Sequence, residues 1–173
     1  MKNDFVNFRI MKIAEDLKRK VKAYAVIKGN EQYPDLKGLA TISSAPNGSW
    51  VDVEVIGLPQ YVPASADSQP IGPFGFHLHA GDSCEPMGED AFTGAMGHYN
   101  PTNQPHGNHA GDFPVLFSNN GYAQMSFYTD KFAPQEVIDK TVIIHLNPDD
   151  YRTQPSGNSG KRIACGVFIS AHL

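Results

Sequence analysis

The chain has few cysteines and no long hydrophobic run. Only two cysteines occur among 173 residues, so their spacing gives no cysteine-based zinc motif. No apolar stretch approaches the ~18 residues of a membrane-spanning helix. Internal repeats and low-complexity tracts are also missing. A formal net charge of -4 argues against nucleic-acid binding by the chain as a whole. These absences favour one globular domain, for which this length supplies an ample core.

Basic residues are concentrated at the N-terminus. Residues 1–22 hold seven of the 14 Lys and Arg against three acids, whereas the other 151 residues carry seven basic residues against 15 acids. Apolar residues recur there at helical spacing: Ile10, Ile13, Ala14, Leu17 and Val21. The pattern predicts a basic extension over 1–21 with a short helix, which packs on a domain spanning 22–173 or frays at its end. Contact with a membrane surface or a partner is the alternative.

Charged residues interrupt every apolar stretch of this extension, so it has no signal-peptide h-region and no cleavage site. We therefore expect a cytoplasmic protein. A truncated N-terminus would reverse that expectation in favour of a secreted or extracytoplasmic one.

After residue 22 the hydrophobic pattern changes to short alternating runs, in a chain with 16 Gly and 13 Pro. Turn chemistry separates several runs, as at Pro46-Asn47-Gly48 and Asn119-Asn120-Gly121. The pattern predicts an all-β domain, closed or sandwiched, with a long loop over 81–111. The predicted strands are 21–28, 36–43, 49–58, 75–80, 112–118, 122–130, 141–146 and 162–170.

Five of the seven histidines lie between residues 74 and 112. His77 and His79 alternate in a predicted strand, so their side chains project from the same face. Imidazole suits copper, zinc, iron and nickel. Without further ligands, such a pair is more often two surface histidines on an exposed strand.

A second group follows in a Gly-, Pro- and Asn-rich loop, where His106, His109 and Asp112 are spaced by three. Two imidazoles and a carboxylate suit zinc, which needs one ligand more. His98 lies between the two groups and could bind a metal through each ring nitrogen. His145 ends an apolar run further on. Incidental histidines in a polar loop are the alternative reading of this second group.

Four segments together resemble the copper/zinc superoxide dismutase family. They are GFHLHAG from Gly75, GHYNP from Gly97, HAGDFP from His109 and GNSGKRIACGV from Gly157. The motifs occur in the family's order and cover roughly residues 22 to 170. The resemblance implies an eight-stranded Greek-key β-barrel, related to immunoglobulin-like sandwiches, with long metal-binding and electrostatic loops.

The resemblance also implies two metals and a reaction. Copper would be held by His77, His79, His98 and His145. Zinc would be held by His98, His106, His109 and Asp112, with a structural and tuning role. The implied reaction converts two superoxide anions into dioxygen and hydrogen peroxide, with His98 bridging the metals and delivering a proton to peroxide.

Further positions match by resemblance. Asp149 matches the carboxylate that links one copper ligand and one zinc ligand, here His77 and His106. Arg162 matches the arginine that binds superoxide beside copper. Its neighbour Lys161 is better explained as a solvated surface lysine. Cys84 and Cys165 match the family's intradomain disulfide, which points to an oxidising compartment and so conflicts with the cytoplasmic expectation.

Several features depart from the family pattern. Only two residues separate His106 from His109, which concerns zinc geometry more than copper. The loop between Asp149 and Arg162 is short, Leu146 stands where an acid is common, and His172 matches no motif. Three functions are compatible with these features. An active superoxide dismutase is favoured over a metal-binding module without useful turnover and over an interaction protein with a zinc staple. Oligomeric state, homodimer or monomer, stays open.

Overall fold

The computed structural model describes residues 21–86 and 90–171, and its regular structure is almost entirely antiparallel β-sheet. Its strands are β1 (Val21–Gly29), β2 (Lys37–Ala45), β3 (Gly48–Ile56), β4 (Phe76–His79), β5 (Ala123–Thr129), β6 (Thr141–His145), β7 (Arg162–Val167) and β8 (Ile169–Ser170). Two short 3₁₀ turns cover Thr93–Ala95 and Pro134–Val137. The predicted all-β class is confirmed. The predicted helix of the basic extension and His172 lie outside the described residues.

The strands form one curled sheet in the order β4-β6-β7-β1-β2-β3-β5, and β8 pairs with β1. The order requires crossovers, because β3 pairs with β5 while β4 lies at the other edge of the sheet. Bridges between Phe74 and Leu116 and between Asn119 and Tyr122 connect the β4 edge towards β5. This arrangement agrees with the expected Greek-key barrel.

Alternating side chains fill the barrel. Val51, Val53 and Val55 of β3 are buried, whereas the intervening Asp52 is half-buried and Glu54 is exposed. This alternation was predicted, because successive side chains of a strand point to opposite faces. A group of large side chains closes the core: Phe74, Phe76, Phe113, Leu116, Ile144 and Phe168.

The segment 112–118 is not a strand, so that prediction was wrong. Its backbone pairs with β4 and the residues before it through isolated bridges rather than a continuous ladder. Pro114 lacks a backbone N–H and interrupts a hydrogen-bonded ladder. The backbone groups on either side of Pro114 bind the hydroxyl of Tyr151 instead of another strand. The hydroxyl donates to Phe113 O at 3.1 Å and accepts from Val115 N–H at 2.9 Å.

The predicted last strand, 162–170, is divided in two at Phe168. The backbone of Phe168 exchanges hydrogen bonds with the turn before β6, accepting from Asp139 N–H and donating to Lys140 O. These bonds separate β7, which pairs with β6, from β8, which pairs only with β1. Among residues 21–86 and 90–171, no helix has the length and hydropathy needed to span a bilayer.

Candidate metal centre

The first histidine pair lies on β4, a strand that is buried on both faces. Phe76 and Leu78 enter the barrel core, so the alternation of the strand turns His77 and His79 to the opposite face. Both imidazoles are nonetheless buried, with exposures of 0% and 1%. Loops therefore cover this face and isolate the two side chains from water.

Four histidines converge on that face of β4: His77, His79, His98 and His145. One ring nitrogen from each lies within 4.8 Å of the others. Antiparallel pairing of β4 with β6 brings the end of β6 beside the pair, and a bridge to His79 positions His98. The predicted first group is therefore brought together.

Hydrogen bonds fix which ring nitrogens face the centre of this cluster. His79 Nδ1–H donates to Met96 O at 2.9 Å, and His145 Nδ1–H donates to Gly160 O at 3.1 Å. Their Nε2 atoms, which then carry lone pairs, lie 3.4 Å apart. His77 Nδ1 and His98 Nε2 are buried without any hydrogen-bond partner. Such a set of inward lone pairs fits a metal ion that prefers nitrogen ligands.

The second group also converges: His98, His106, His109 and Asp112 each place one ligand atom within 4.8 Å of the others. Asp112 Oδ1 lies 2.8 Å from His98 Nδ1, 3.2 Å from His106 Nδ1 and 3.1 Å from His109 Nδ1. The Nδ1 atoms of His98 and His109 are 3.4 Å apart. Four ligands at about 2.0–2.1 Å in a tetrahedron would be separated by roughly 3.3 Å, so the group fits zinc. The short His106–His109 spacing does not prevent convergence.

The carboxylate of Asp112 is fixed by hydrogen bonds to the oxygen that points away from the histidine rings. Its Oδ2 accepts the backbone N–H groups of Gly107 and His109, both at 2.8 Å. Burial alone would raise the pKa of Asp112, but the hydrogen bonds from His98 and from the His109 backbone outweigh it and lower this pKa. The side chain is therefore an anion aimed through Oδ1 at three imidazoles.

Asp149 connects the two groups. Its Oδ2 accepts His77 Nε2–H at 2.7 Å and its Oδ1 accepts His106 Nε2–H at 2.8 Å. Both bonds are buried and leave the Nδ1 atom of each ring free for a metal. The link expected between these three residues is present.

Burial lowers the pKa of four of the site histidines. It lowers the pKa of His77 and His79 well below the usual imidazole value, with further lowering from His145 and His98. It lowers the pKa of His145 to about 4 and also lowers that of His109. Because a neutral imidazole is the form that binds a metal, these four side chains can bind metal ions at neutral pH without first losing a proton.

Arg162 opens β7 and pairs with His145 across the β6–β7 ladder. Its guanidinium is half-buried and donates to Phe92 O at 2.6 Å and to Met96 O at 2.5 Å. Its positive charge contributes to lowering the pKa of His79 and of His145, so the guanidinium acts electrostatically on the first histidine cluster. Two of its five N–H donors are occupied by carbonyls, which leaves others for an anion.

Comparison with known proteins gives the family. The family model for copper/zinc superoxide dismutase matches residues 36–168. The chain is 34% identical to Superoxide dismutase [Cu-Zn] of Deinococcus radiodurans over 157 residues, which covers 80% of each chain. It is also 34% identical to Superoxide dismutase [Cu-Zn] of Legionella pneumophila over 169 residues, covering 93% of this chain and 91% of that one.

The chain belongs to the copper/zinc superoxide dismutase family. The fold agrees. The Cu/Zn superoxide dismutase from Brucella abortus superposes with a TM-score of 0.68 at 27% identity, covering 84% of this chain and 99% of that one. A double mutant of a superoxide dismutase-like protein from Bacillus subtilis gives 0.66 at 31% identity, covering 84% and 96%. The chain is thus a superoxide dismutase that uses copper and zinc to disproportionate superoxide into dioxygen and hydrogen peroxide.

The family disulfide is present. Cys84 and Cys165 are bonded, with Cα atoms 5.8 Å apart and a sequence separation of 81. The bond ties the loop after β4 to β7. The same loop carries Phe92 and Met96, whose carbonyls hold the guanidinium of Arg162. The superoxide dismutase disulfide therefore anchors the segment on which Arg162 depends.

Sequence reasoning missed the groups that orient the ligands through the backbone. The carbonyls of Met96 and Gly160 carry no residue-type signal, because every residue has a carbonyl. Gly157 could have been found: it is in the closing family motif and has φ +67°, and a Cβ there would lie 1.8 Å from Asp149 Oδ1. Only glycine leaves room for the link between the two metal groups.

Proposed function

We propose that copper is bound by His77, His79, His98 and His145 in this superoxide dismutase. The observation that carries this assignment is the direction of the ring nitrogens. Hydrogen bonds to Asp149 Oδ2, Met96 O and Gly160 O use the outward nitrogens of three rings, while the inward ones meet within 4.8 Å. Four inward imidazole nitrogens suit copper among the metals that prefer nitrogen ligands, and the family resemblance supports copper for this set.

Zinc, in the same proposal, is bound by His98, His106, His109 and Asp112. Mutual distances of 2.8–3.4 Å between several of these ligand atoms support a closed tetrahedral site. His98 belongs to both sets, through Nε2 on the copper side and Nδ1 on the zinc side. Asp149 keeps His77 and His106 in the orientations that both sets need.

The reaction has the balance 2 O₂⁻ + 2 H⁺ → O₂ + H₂O₂. When bound, copper supplies the one-electron acceptor and donor for the two successive superoxide anions. His98 Nε2, buried and without a protein partner, takes up a proton and returns it to the nascent peroxide. His79 and His145 stay fixed by their carbonyl partners, and His98 Nδ1 lies 2.8 Å from Asp112 Oδ1, the other zinc ligand atom beside it.

Arg162 is proposed to bind superoxide beside copper. The guanidinium is anchored by Phe92 O and Met96 O, so its remaining donors have a fixed direction. Its position opposite His145 in the β6–β7 ladder supports this role. Burial lowers the pKa of Arg162, but an arginine side chain keeps its charge at neutral pH.

The decisive experiment combines metal content with turnover. Protein purified from its native host is analysed for copper and zinc, and superoxide decay is followed by stopped-flow spectroscopy. About one copper and one zinc per chain with fast decay supports the proposal. Bound metal without turnover would favour the metal-binding module, and zinc alone would favour the interaction protein with a zinc staple.

The compartment and the oligomeric state stay predictions. We infer a cytoplasmic location, with an extracytoplasmic one as the alternative. Alkylation of thiols in intact cells tests it: Cys84 and Cys165 should be trapped partly reduced in the cytoplasm, whereas full protection would favour the alternative. Sedimentation of the full chain distinguishes a homodimer from a monomer.

A further inference from the structure

The zinc ligands His106 and His109 share one short turn, residues 105–112, which we call the zinc turn. Inside this turn, Asn108 N–H donates to Pro105 O at 3.1 Å, and Asp112 Oδ2 accepts two backbone N–H groups at its centre. Asp112 N–H also donates to His109 O within the turn, at the long distance of 3.4 Å. Side chains from elsewhere in the chain add hydrogen bonds to the backbone groups of His106 and to the carbonyl of His109.

Gln154 holds the His106 end. Its Oε1 accepts His106 N–H at 2.9 Å, and its Nε2–H donates to His106 O at 3.3 Å. A single primary amide thus pairs with both backbone groups of one ligand, as a neighbouring strand would. Gln154 is 48 positions away, in the loop that also carries Asp149. Two side chains of that loop therefore reach His106, one at its ring and one at its backbone.

Lys131 holds the His109 end. Its ammonium group donates to His109 O at 3.1 Å and to Asn108 Oδ1 at 3.0 Å. The lysine follows β5, so this contact connects the zinc turn to a different part of the chain from the loop that carries Gln154. An ammonium beside a carbonyl gives a charge-assisted hydrogen bond, which is stronger than a neutral one.

We propose that Lys131 and Gln154 are positioning residues for zinc, which fix the backbones of His109 and His106 so that their Nδ1 atoms stay aimed at the ion. The inference rests on the proposed zinc ligands. A tetrahedral site tolerates little displacement of its ligands. The bond inside the zinc turn that reaches the His109 carbonyl is long, at 3.4 Å, so we expect the 3.1 Å bond from Lys131 to fix that carbonyl. Groups that orient metal ligands affect metal affinity even when they do not touch the ion.

The test uses the full chain and near-isosteric variants. Lys131→Met and Gln154→Met remove the hydrogen bonds while keeping most of the side-chain length. Lys131→Arg keeps the charged donor, and Gln154→Glu keeps the acceptor for His106 N–H but loses the donor. Lys37→Met and Gln32→Met serve as matched controls, because both parent residues are exposed and lie outside the zinc turn. His109→Ala is the reference for a lost ligand.

Zinc affinity is measured by competition with a chelator, and the visible spectrum of cobalt(II) in the same site reports ligand geometry. Both Met variants should bind zinc roughly 10-fold more weakly and shift the cobalt bands. Lys131→Arg should restore most of the affinity, Gln154→Glu should be intermediate, and copper affinity should stay near that of the parent.

Zinc affinity within about twofold of the parent, with unshifted cobalt bands, would overturn the proposal. So would an equal loss of copper and zinc, or an equal effect in the two control variants. Failure of the underlying ligand assignment gives a different result. In that case His109→Ala itself would retain zinc.

Discussion

Among the ligand candidates, His145 has the simplest surroundings. Its Nδ1 donates to Gly160 O, its Nε2 faces His79, and it has no bond to Asp149 or to the zinc group. His145→Ala should therefore abolish superoxide dismutation while leaving zinc content and the far-UV circular dichroism spectrum close to those of the parent. Stopped-flow activity after copper reconstitution checks this. Retained activity would refute the copper assignment.

Gly157 leaves room for the hydrogen bond between Asp149 and His106 because it has no Cβ. A Cβ at this position, where φ is +67°, would lie 1.8 Å from Asp149 Oδ1 and 2.6 Å from His106 Nε2. Gly157→Ala should break the Asp149 link and lower copper content, zinc content and melting temperature together. Gly97→Ala is the matched control, because its Cβ would meet nothing within 4 Å. Equal metal content in both variants would contradict this role.

At the residue scale the convergence of the candidate ligands and their link through Asp149 were predictable, whereas the backbone contacts that support them were not. His77, His79 and Asp112 belong to short motifs whose residue types carry the chemistry. Lys131 and Gln154 act on peptide groups, so nothing in their type or spacing points to a zinc ligand. Such contacts depend on the path of the folded chain, which hydrophobic periodicity does not determine.

At the element scale, strands were predicted best where alternation was undisturbed. The buried valines of β3 gave a clear signal, and its bounds were predicted to within two residues. The segment 112–118 has similar composition but contains Pro114, and its neighbours are bound to the hydroxyl of Tyr151. The conformation of this segment therefore depends on a tertiary contact with a residue 36 positions away, which the local hydrophobic pattern does not reveal.

The disulfide links two elements that carry different parts of the site. Replacing both Cys84 and Cys165 by Ala removes a cross-link with a sequence separation of 81. In the chain-entropy model this costs about 4 kcal/mol, or a fall of roughly 10 °C in melting temperature for a chain of this size. Activity should also fall at unchanged metal content, because the carbonyls of Phe92 and Met96 would hold Arg162 less firmly.

Calorimetry, metal analysis and stopped-flow activity check this prediction. The parent protein treated with a reductant is the control, since it loses the same bond without a change of side chain. A melting temperature equal to that of the parent would show that the loop is held by its other contacts. Loss of copper in the double variant would show that the disulfide supports the ligands themselves.

At the scale of the whole molecule, the buried histidines make the stability of the metal-free protein depend on pH. An unfolded imidazole titrates near pH 6.5. In the folded state burial lowers the pKa of His145 to about 4, and lowers those of His77 and His79 as well. Between these values the unfolded chain binds more protons, so stability is complete above pH 6.5 and is lost as pH falls towards 4.

Urea midpoints of the metal-free protein at pH 7.5, 5.5 and 4.5 measure this loss. His145→Gln removes one of the responsible groups, so its midpoint should change less over the same range. Asp112 contributes little to this window, because an unfolded aspartate titrates near pH 3.9. A midpoint that stays constant down to pH 4.5 would mean that the folded histidines take up protons as readily as the unfolded ones.

Charge over the whole molecule sets the last expectation. The formal net charge is -4, and superoxide is an anion, so attraction must come from local cations such as Arg162. Arg162→Ala should lower the rate strongly at low salt with unchanged metal content. Arg162→Lys should keep part of the rate, since it retains charge but loses the planar fork. Arg162→Glu should be slowest.

The dependence of the rate on salt distinguishes long-range attraction of superoxide from its direct binding to Arg162. Screening acts beyond about 8–10 Å at physiological ionic strength, so added salt should slow the parent and speed Arg162→Glu. Lys161→Ala is the matched control: it removes the same charge one position away from an exposed side chain. A smaller loss in this control than in Arg162→Ala would assign the effect to the anchored guanidinium. Equal losses would instead assign it to the general field of the loop, and no loss in any variant would remove Arg162 from the path of superoxide.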